Sequence, residues 1–194
     1  MNSRIEELMN RIRELEAEIE ADLEARRARF HYRLDHHRAR FERDILALHR
    51  RLRQGWLSYV ANARPAHLLS APVIYAILPA LLLFDAAVSL YQRLCFPAYR
   101  IPRVRRADYF VYDRTQLGYL NWIERMNCLY CSYANGLIAY AREIVARTEQ
   151  YWCPIKHARH RRDAHVRYGN FFDYGDVEAY RNELDRLRRD YPAA

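Results

Sequence analysis

AHLLSAPVIYAILPALLLFDAAVSLY, residues 66–91, has His67 and Asp85 as its only ionisable groups apart from tyrosine hydroxyls. The fold turns on whether this stretch is covered by lipid or by protein. As a helix, the interval between Arg64 and Arg93 extends about 40 Å, more than the roughly 30 Å of a bilayer's hydrocarbon core even with tilt. Trp56, Tyr59, Tyr91, Phe96 and Tyr99 flank it where a bilayer favours aromatic anchors. A buried hydrophobic hairpin of a soluble protein is the competing reading, but few buried helices stay this apolar for this long.

The flanks leave the topology open. Arg50, Arg51, Arg53 and Arg64 precede the segment, and Arg93, Arg100, Arg103, Arg105 and Arg106 follow it, so the positive-inside bias cancels. Pro72 and Pro79 divide it. A re-entrant hairpin broken near Pro79 puts both basic flanks on the cytoplasmic face, and a single proline-kinked span is the alternative. If the segment spans, Asp85 is a functional-site candidate, because a charge in lipid is costly unless neutralised or turned toward protein.

Working toward the N-terminus, Ile5, Leu8, Ile12, Leu15 and Ile19 step by three and four, lining one narrow apolar seam among Glu and Arg. The seam shifts phase after Leu23 and returns at Phe30, Leu34, Phe41, Ile45, Leu48 and Leu52, as a stutter in a coiled coil does. Residues 1–62 therefore read as a long coiled-coil-like arm for oligomerisation or partner docking, the competing reading being an arm folded back on its own domain. His31, His36 and His37 fall in its polar interruption. Neighbouring histidines on a helix point about 100° apart, so His36 and His37 read as solvated rather than as a shared ligand pair.

Working toward the C-terminus, residues 93–114 are punctuated by Pro97 and Pro102 and mix Arg with Tyr, which reads as an extended connector over anionic headgroups. No helix-turn-helix, RNP or zinc-finger spacing accompanies this basic stretch, so no nucleic-acid partner is expected. Residues 115–194 read as a helical domain rich in Cys, His and Tyr. Its first helix has Asp113 or Thr115 as cap and Pro154 as stop, and a final amphipathic helix starts at Asp176 after the Phe171, Phe172 and Tyr174 cluster. The net charge of +8 is almost all arginine, Lys156 being the only lysine, and Gly is too scarce for a sandwich or barrel.

Chemistry, if present, centres on Cys128, Cys131, Cys153 and His157, a C-x2-C-x21-C-x3-H arrangement that would take zinc or iron. Cys128 and Cys131 are i and i+3 and share a helix face. If the helix continues to Cys153, however, Cys131 and Cys153 are about 33 Å apart, and even a hairpin at Asn135-Gly136 leaves arms mismatched by some 20 Å. A four-ligand site then needs another break, an earlier helix end or a second chain. Narrower readings are a local site from Cys153, His157 and His160 on a helix starting at Pro154, or a Cys128/Cys131 redox pair. The plain alternative is that the cysteines are small buried residues. Glu124, Glu143 and Glu149 lack the Glu-x-x-His pairs of a di-iron bundle, and no P-loop, GxGxxG, GxSxG or HExxH occurs.

The phrases YCSYANG (residues 130–136) and RTEQYWCPIKHAR (residues 147–159) resemble those of an uncharacterised family of bacterial membrane-associated proteins. The resemblance covers roughly the chain after the arm. It implies membrane association and brings no activity, cofactor, substrate or functional residue with it.

The expectation is an all-α protein of the inner (cytoplasmic) membrane with its soluble part in the cytoplasm: a coiled-coil arm (1–62), a membrane helix or re-entrant hairpin (66–92), a connector (93–114) and a helical domain (115–194). The charged N-terminus, without an apolar signal region, fits that compartment. Its expected role is an accessory or scaffolding subunit, a homo-oligomer or part of a membrane complex. The alternative is a metal-binding redox protein or enzyme using residues 128–160.

Overall fold

The computed structural model describes residues 3–35, 38–160 and 164–191 and is mainly helical, with one small antiparallel hairpin among the described residues. Two compact units are present: Met1–Ala61 with Asp113–Met126, and Asn62–Tyr112 with Asn127–Ala194.

In the first unit, helix α1 spans Ser3–Arg29. The arm does not continue as helix to residue 62. At His31 the backbone turns left-handed (φ 51°), and strands β1 (Tyr32–Asp35) and β2 (Arg38–Phe41) pair with Tyr32 opposite Phe41 and Leu34 opposite Ala39. The reason lies in a second periodicity within the same residues. Phe30, Tyr32 and Leu34 alternate with His31, Arg33 and Asp35, a period of two that favours a hairpin over a helix. The Tyr32 and Phe41 rings meet at 5.4 Å, Phe41 packs on His49 at 4.9 Å, and His49 packs on Tyr119 at 5.0 Å. His49 belongs to α2 (Arg43–Arg51), which precedes the short α3 (Trp56–Ala61). His36 and His37, read as solvated, lie outside the described residues.

The second unit is built on the apolar segment. Helices α4 (Pro65–Ala76) and α5 (Leu78–Tyr99) form one 35-residue rod interrupted only at Ile77. Pro79 has no N–H to offer the Tyr75 carbonyl, and Ile77 N–H tightens onto Ile74 O at 3.3 Å. Ile77 keeps right-handed helical angles (φ −74°, ψ −24°), so the chain does not reverse there. The re-entrant hairpin is thus absent, and the rod measures about 52 Å at 1.5 Å per residue.

The rod ends in a Schellman turn. Arg100 is left-handed (φ 57°), its N–H donates to Pro97 O at 3.2 Å, and Ile101 N–H donates to Phe96 O at 2.9 Å. That turn folds Ile101 back onto Phe96, and both are buried. The connector is therefore not a loose layer. Ile101 and Val104 join Phe96, Leu137, Tyr140 and Ile144 in the core, each fully buried apolar side chain contributing about 1.5–3 kcal/mol. Phe96, expected at an interface, is wholly buried instead. Inside this core the Gln92 side chain accepts from Val104 N–H at 2.9 Å and pairs with the Tyr140 hydroxyl.

Helix α6 spans Trp122–Trp152. Its cap is Asn121, not Asp113 or Thr115, which instead form a single 3-10 turn. Asn121 Oδ1 accepts from Ile123 and Glu124 N–H at 2.9 and 3.0 Å, and Glu124 Oε2 accepts from Asn121 N–H at 2.8 Å, a reciprocal box of the N-x-x-E type. Contacts between α6 and the rod advance together along both. Tyr130 donates to Ile74 O (2.9 Å), Tyr133 meets Asp85 (2.8 Å), Tyr140 meets Gln92, and Tyr151 packs on Tyr99 with ring centres 5.0 Å apart. The two helices therefore run in the same direction, bridged by tyrosines.

Gly136 explains how the connector reaches α6. A Cβ there would lie 2.9 Å from Tyr109 O and 3.0 Å from Phe110 Cδ1, so the glycine serves close approach rather than a helix break. At the far end, α7 (Val177–Leu187) begins as expected after Asp176, whose Oδ1 accepts from Ala179 N–H at 2.9 Å. Of the Phe171, Phe172 and Tyr174 cluster, the two phenylalanines are buried and Tyr174 is exposed.

Candidate functional site

Asp85 sits within the apolar rod but does not face outward. Arg106 Nη1 and Nη2 donate to its Oδ1 and Oδ2 at 2.5 and 2.6 Å, Tyr133 Oη donates to Oδ2 at 2.8 Å, and Ser89 Oγ donates to Oδ1 at 3.2 Å. This two-pronged pairing suits the fixed fork of a guanidinium. The Arg106 guanidinium also lies 4.0 Å above the centre of the Phe110 ring. Three elements converge here: α5 brings the carboxylate, α6 the phenol and the folded-back connector the cation.

The electrostatics make the cluster unreactive. Hydrogen bonding to Asp85 raises the Arg106 pKa further. Burial first, and then donation to Asp85, push Tyr133 up to about 12. Each carboxylate oxygen already accepts two hydrogen bonds, leaving no lone pair directed at a substrate. What the arrangement does is neutralise the charge and clamp residues 106–110 and α6 onto α5.

The Cys128/Cys131 pair and the Cys153/His157 pair are not brought together within the chain. Helix α6 passes through Asn135-Gly136 without a break, so the bend that could shorten the path is missing, and Cys131 and Cys153 stand about 33 Å apart along it. Cys128 is partly buried while Cys131 and Cys153 are exposed, and all are free thiols. Cys131 and Cys153 are thus not core packing residues, while Cys95, like Cys128, is partly buried. Pro154 starts no helix: Phe172 N–H donates to Pro154 O at 2.9 Å and Lys156 N–H to Phe172 O at 2.8 Å, holding this stretch extended against the Phe171–Phe172 cluster. His157 is exposed and stacks on Tyr168, with 6.2 Å between ring centres, and His160 is exposed nearby. Among the described residues, no group of three or more His, Cys, Asp or Glu could hold a metal ion.

Two features escaped the reading of the sequence. Glu143 Oε1 accepts from Arg147 Nε at 2.8 Å and from Arg167 Nε and Nη2 at 3.0 and 2.8 Å. Burial would raise the Glu143 pKa, but the hydrogen bonds from Arg147 and Arg167 outweigh it and hold the carboxyl below its ordinary value. Arg147 also donates to Pro102 O at 2.6 Å, and Arg167 to Gln150 Oε1 at 3.0 Å, so one carboxylate ties the connector to α6 and the C-terminal loop. The Glu143/Arg147 spacing of four was the visible half of this signal. Arg167, from 24 residues away, was not.

The second feature is a groove of about 640 Å³ between Phe84 and the α6 face bearing Ile138, Val145 and Trp152. Glu149, Cys153 and His165 line it too. His165 Nε2 is taken by Glu149 Oε2 at 2.9 Å, and Nδ1 is buried without a hydrogen-bond partner, so the imidazole does not activate the Cys153 thiol. Comparison with known protein families, with curated proteins and with solved structures found no match to this chain.

Proposed function

We propose that the chain is a membrane-anchored scaffolding subunit of the inner membrane, held by the α4–α5 rod and self-associating through α1, with its soluble part in the cytoplasm. The observation that carries this reading is the seam of α1. Leu15, Ile19 and Leu23 are 46%, 60% and 41% exposed, an apolar line without cover on a 27-residue helix. The anchor is supported by the rod itself. Only 6% of its most apolar window is buried inside the protein, whereas the core helix of a soluble protein would be mostly buried. Neutralisation of Asp85 by Arg106 lowers the cost of placing the rod in lipid.

The test is the mass of the detergent-solubilised full chain by light scattering, with and without Leu15→Glu and Ile19→Glu together. An oligomer that dissociates to monomers on substitution supports the proposal. A wild-type monomer, or an oligomer indifferent to both changes, refutes self-association through the seam.

A further inference from the structure

We propose that the cleft at the C-terminal end of α5 binds the phosphate of an anionic phospholipid headgroup. The inference rests on the membrane reading of the rod. The cleft has a volume of about 390 Å³, within the range of small-molecule sites, and Arg100, Arg188, Arg189, Asp185, Tyr99 and Tyr151 line it.

Its charges do not balance. Arg188 is engaged: Nη1 meets Asp185 Oδ1 at 3.3 Å, Nε donates to Tyr151 O at 3.0 Å, and the guanidinium lies 5.1 Å from the centre of the Tyr151 ring. Among the described residues, Asp185 is the only carboxylate of the cleft lining. Among the described residues, Arg100 and Arg189 form no side-chain hydrogen bond or ion pair. Two uncommitted guanidiniums thus converge on one concavity, where their mutual repulsion is relieved by an anion with several acceptor oxygens.

The surroundings point to a lipid source for that anion. Tyr99, Tyr151 and Trp152 form a ring cluster beside the cleft, with centres 5.0, 5.2 and 5.3 Å apart. Tyr and Trp gather at the headgroup level of a bilayer, and this cluster stands where the apolar rod ends. Arginine near a helix C-terminus also has a plain role in complementing the helix dipole, and Arg188 and Arg189 follow α7 as Arg100 follows α5. That role is met by each arginine separately. It does not require three from two helix ends to line one cleft with aromatic walls. The left-handed conformation of Arg100 places it there, in the turn that carries the chain back onto Phe96.

The experiment measures binding of short-chain phosphatidic acid, short-chain phosphatidylcholine, glycerol 3-phosphate and inorganic phosphate to the detergent-solubilised full chain. Phosphatidic acid is expected to bind about tenfold or more tightly than phosphatidylcholine, and Arg100→Gln with Arg189→Gln to abolish that preference. Both side chains are exposed and unbonded, so the double variant should keep wild-type circular dichroism and wild-type flotation with phosphatidylcholine vesicles. Equal binding of the two lipids, or a preference that survives the double variant, overturns the site. Phosphate or glycerol 3-phosphate binding as tightly as phosphatidic acid overturns the lipid assignment. Failure of the wild-type chain to float with vesicles is a different result, and it removes the membrane reading itself.

Discussion

Removing one partner of the Asp85–Arg106 pair should cost more than any other charge deletion in the connector. Two opposite charges about 4 Å apart attract by about 4 kcal/mol at an effective dielectric constant near 20. The side chains are 13% and 44% exposed, so water screens the arginine and part of the attraction repays desolvation. A net coupling of about 2 kcal/mol follows. Arg106→Ala leaves the carboxylate with only Tyr133 and Ser89 and also strips the cation from the Phe110 ring, adding on the order of 0.5–1 kcal/mol. Asp85→Asn should cost less, because a half-exposed guanidinium can turn to water. The assay is reversible unfolding of the detergent-solubilised chain by circular dichroism, run as a double-mutant cycle with Asp85→Asn and Arg106→Ala. Arg105→Ala is the control: its contact with Asp108 is 3.8 Å and exposed, and its loss should stay within about 0.5 kcal/mol. Additive single effects, or an Arg105→Ala as damaging as Arg106→Ala, would refute the clamp.

Gly136→Ala should destabilise the same unit although alanine is the better helix former by about 1 kcal/mol. The new Cβ meets the Tyr109 carbonyl at 2.9 Å, and a net loss of about 1–2 kcal/mol is expected in the same unfolding assay; a stabilised variant would show that the connector does not sit against α6. The pH dependence of unfolding should carry two signatures. Tyr133 and Tyr191 are both pushed up to about 12, chiefly by burial, so their contribution is intact below the ordinary tyrosine value of 10.0 and is lost as pH rises toward 12. Tyr133→Phe and Tyr191→Phe should flatten that alkaline limb, and an unchanged limb would contradict the burial of these phenols. Glu143 has the opposite sign: its contribution is complete above the ordinary 4.5 and is lost as pH falls through its lowered value, an acid limb that Glu143→Gln should remove.

Periodicity carried the helices of the fold and failed where two periods overlapped. The rod was legible because 26 residues (66–91) with only His67 and Asp85 ionisable besides tyrosine admit few structures, and the last helix because Asp176 caps an amphipathic run. Residues 30–41 carry a helical seam and also two alternating runs, 30–35 and 38–41, and the pairing of Tyr32 with Phe41 is a tertiary outcome that neither pattern states. The cap of α6 shows the same limit. Asp113, Thr115 and Asn121 are all competent caps by residue type, and only Asn121 stands three residues before a glutamate that can reach back.

The site teaches a related lesson about distance along the chain. Cys128, Cys131, Cys153 and His157 drew attention as a motif, yet a motif's spacing has meaning only once the backbone between its halves is known, and here that backbone is one unbroken helix. Asp85 was visible as an anomaly, a charge where none should be. Its answer came from Arg106, 21 residues on, and Tyr133, 48 residues on. Reaching that answer requires the Schellman turn at Arg100, which reverses the chain, and Gly136, which lets the reversed chain lie against α6. The two residues that make the charge tolerable are therefore positioned by two others that carry no charge chemistry at the site. For this reason Gly136→Ala should weaken the Asp85–Arg106 coupling as well as overall stability, and a cycle repeated in the Gly136→Ala background with its coupling undiminished would separate the close approach at Gly136 from the clamp.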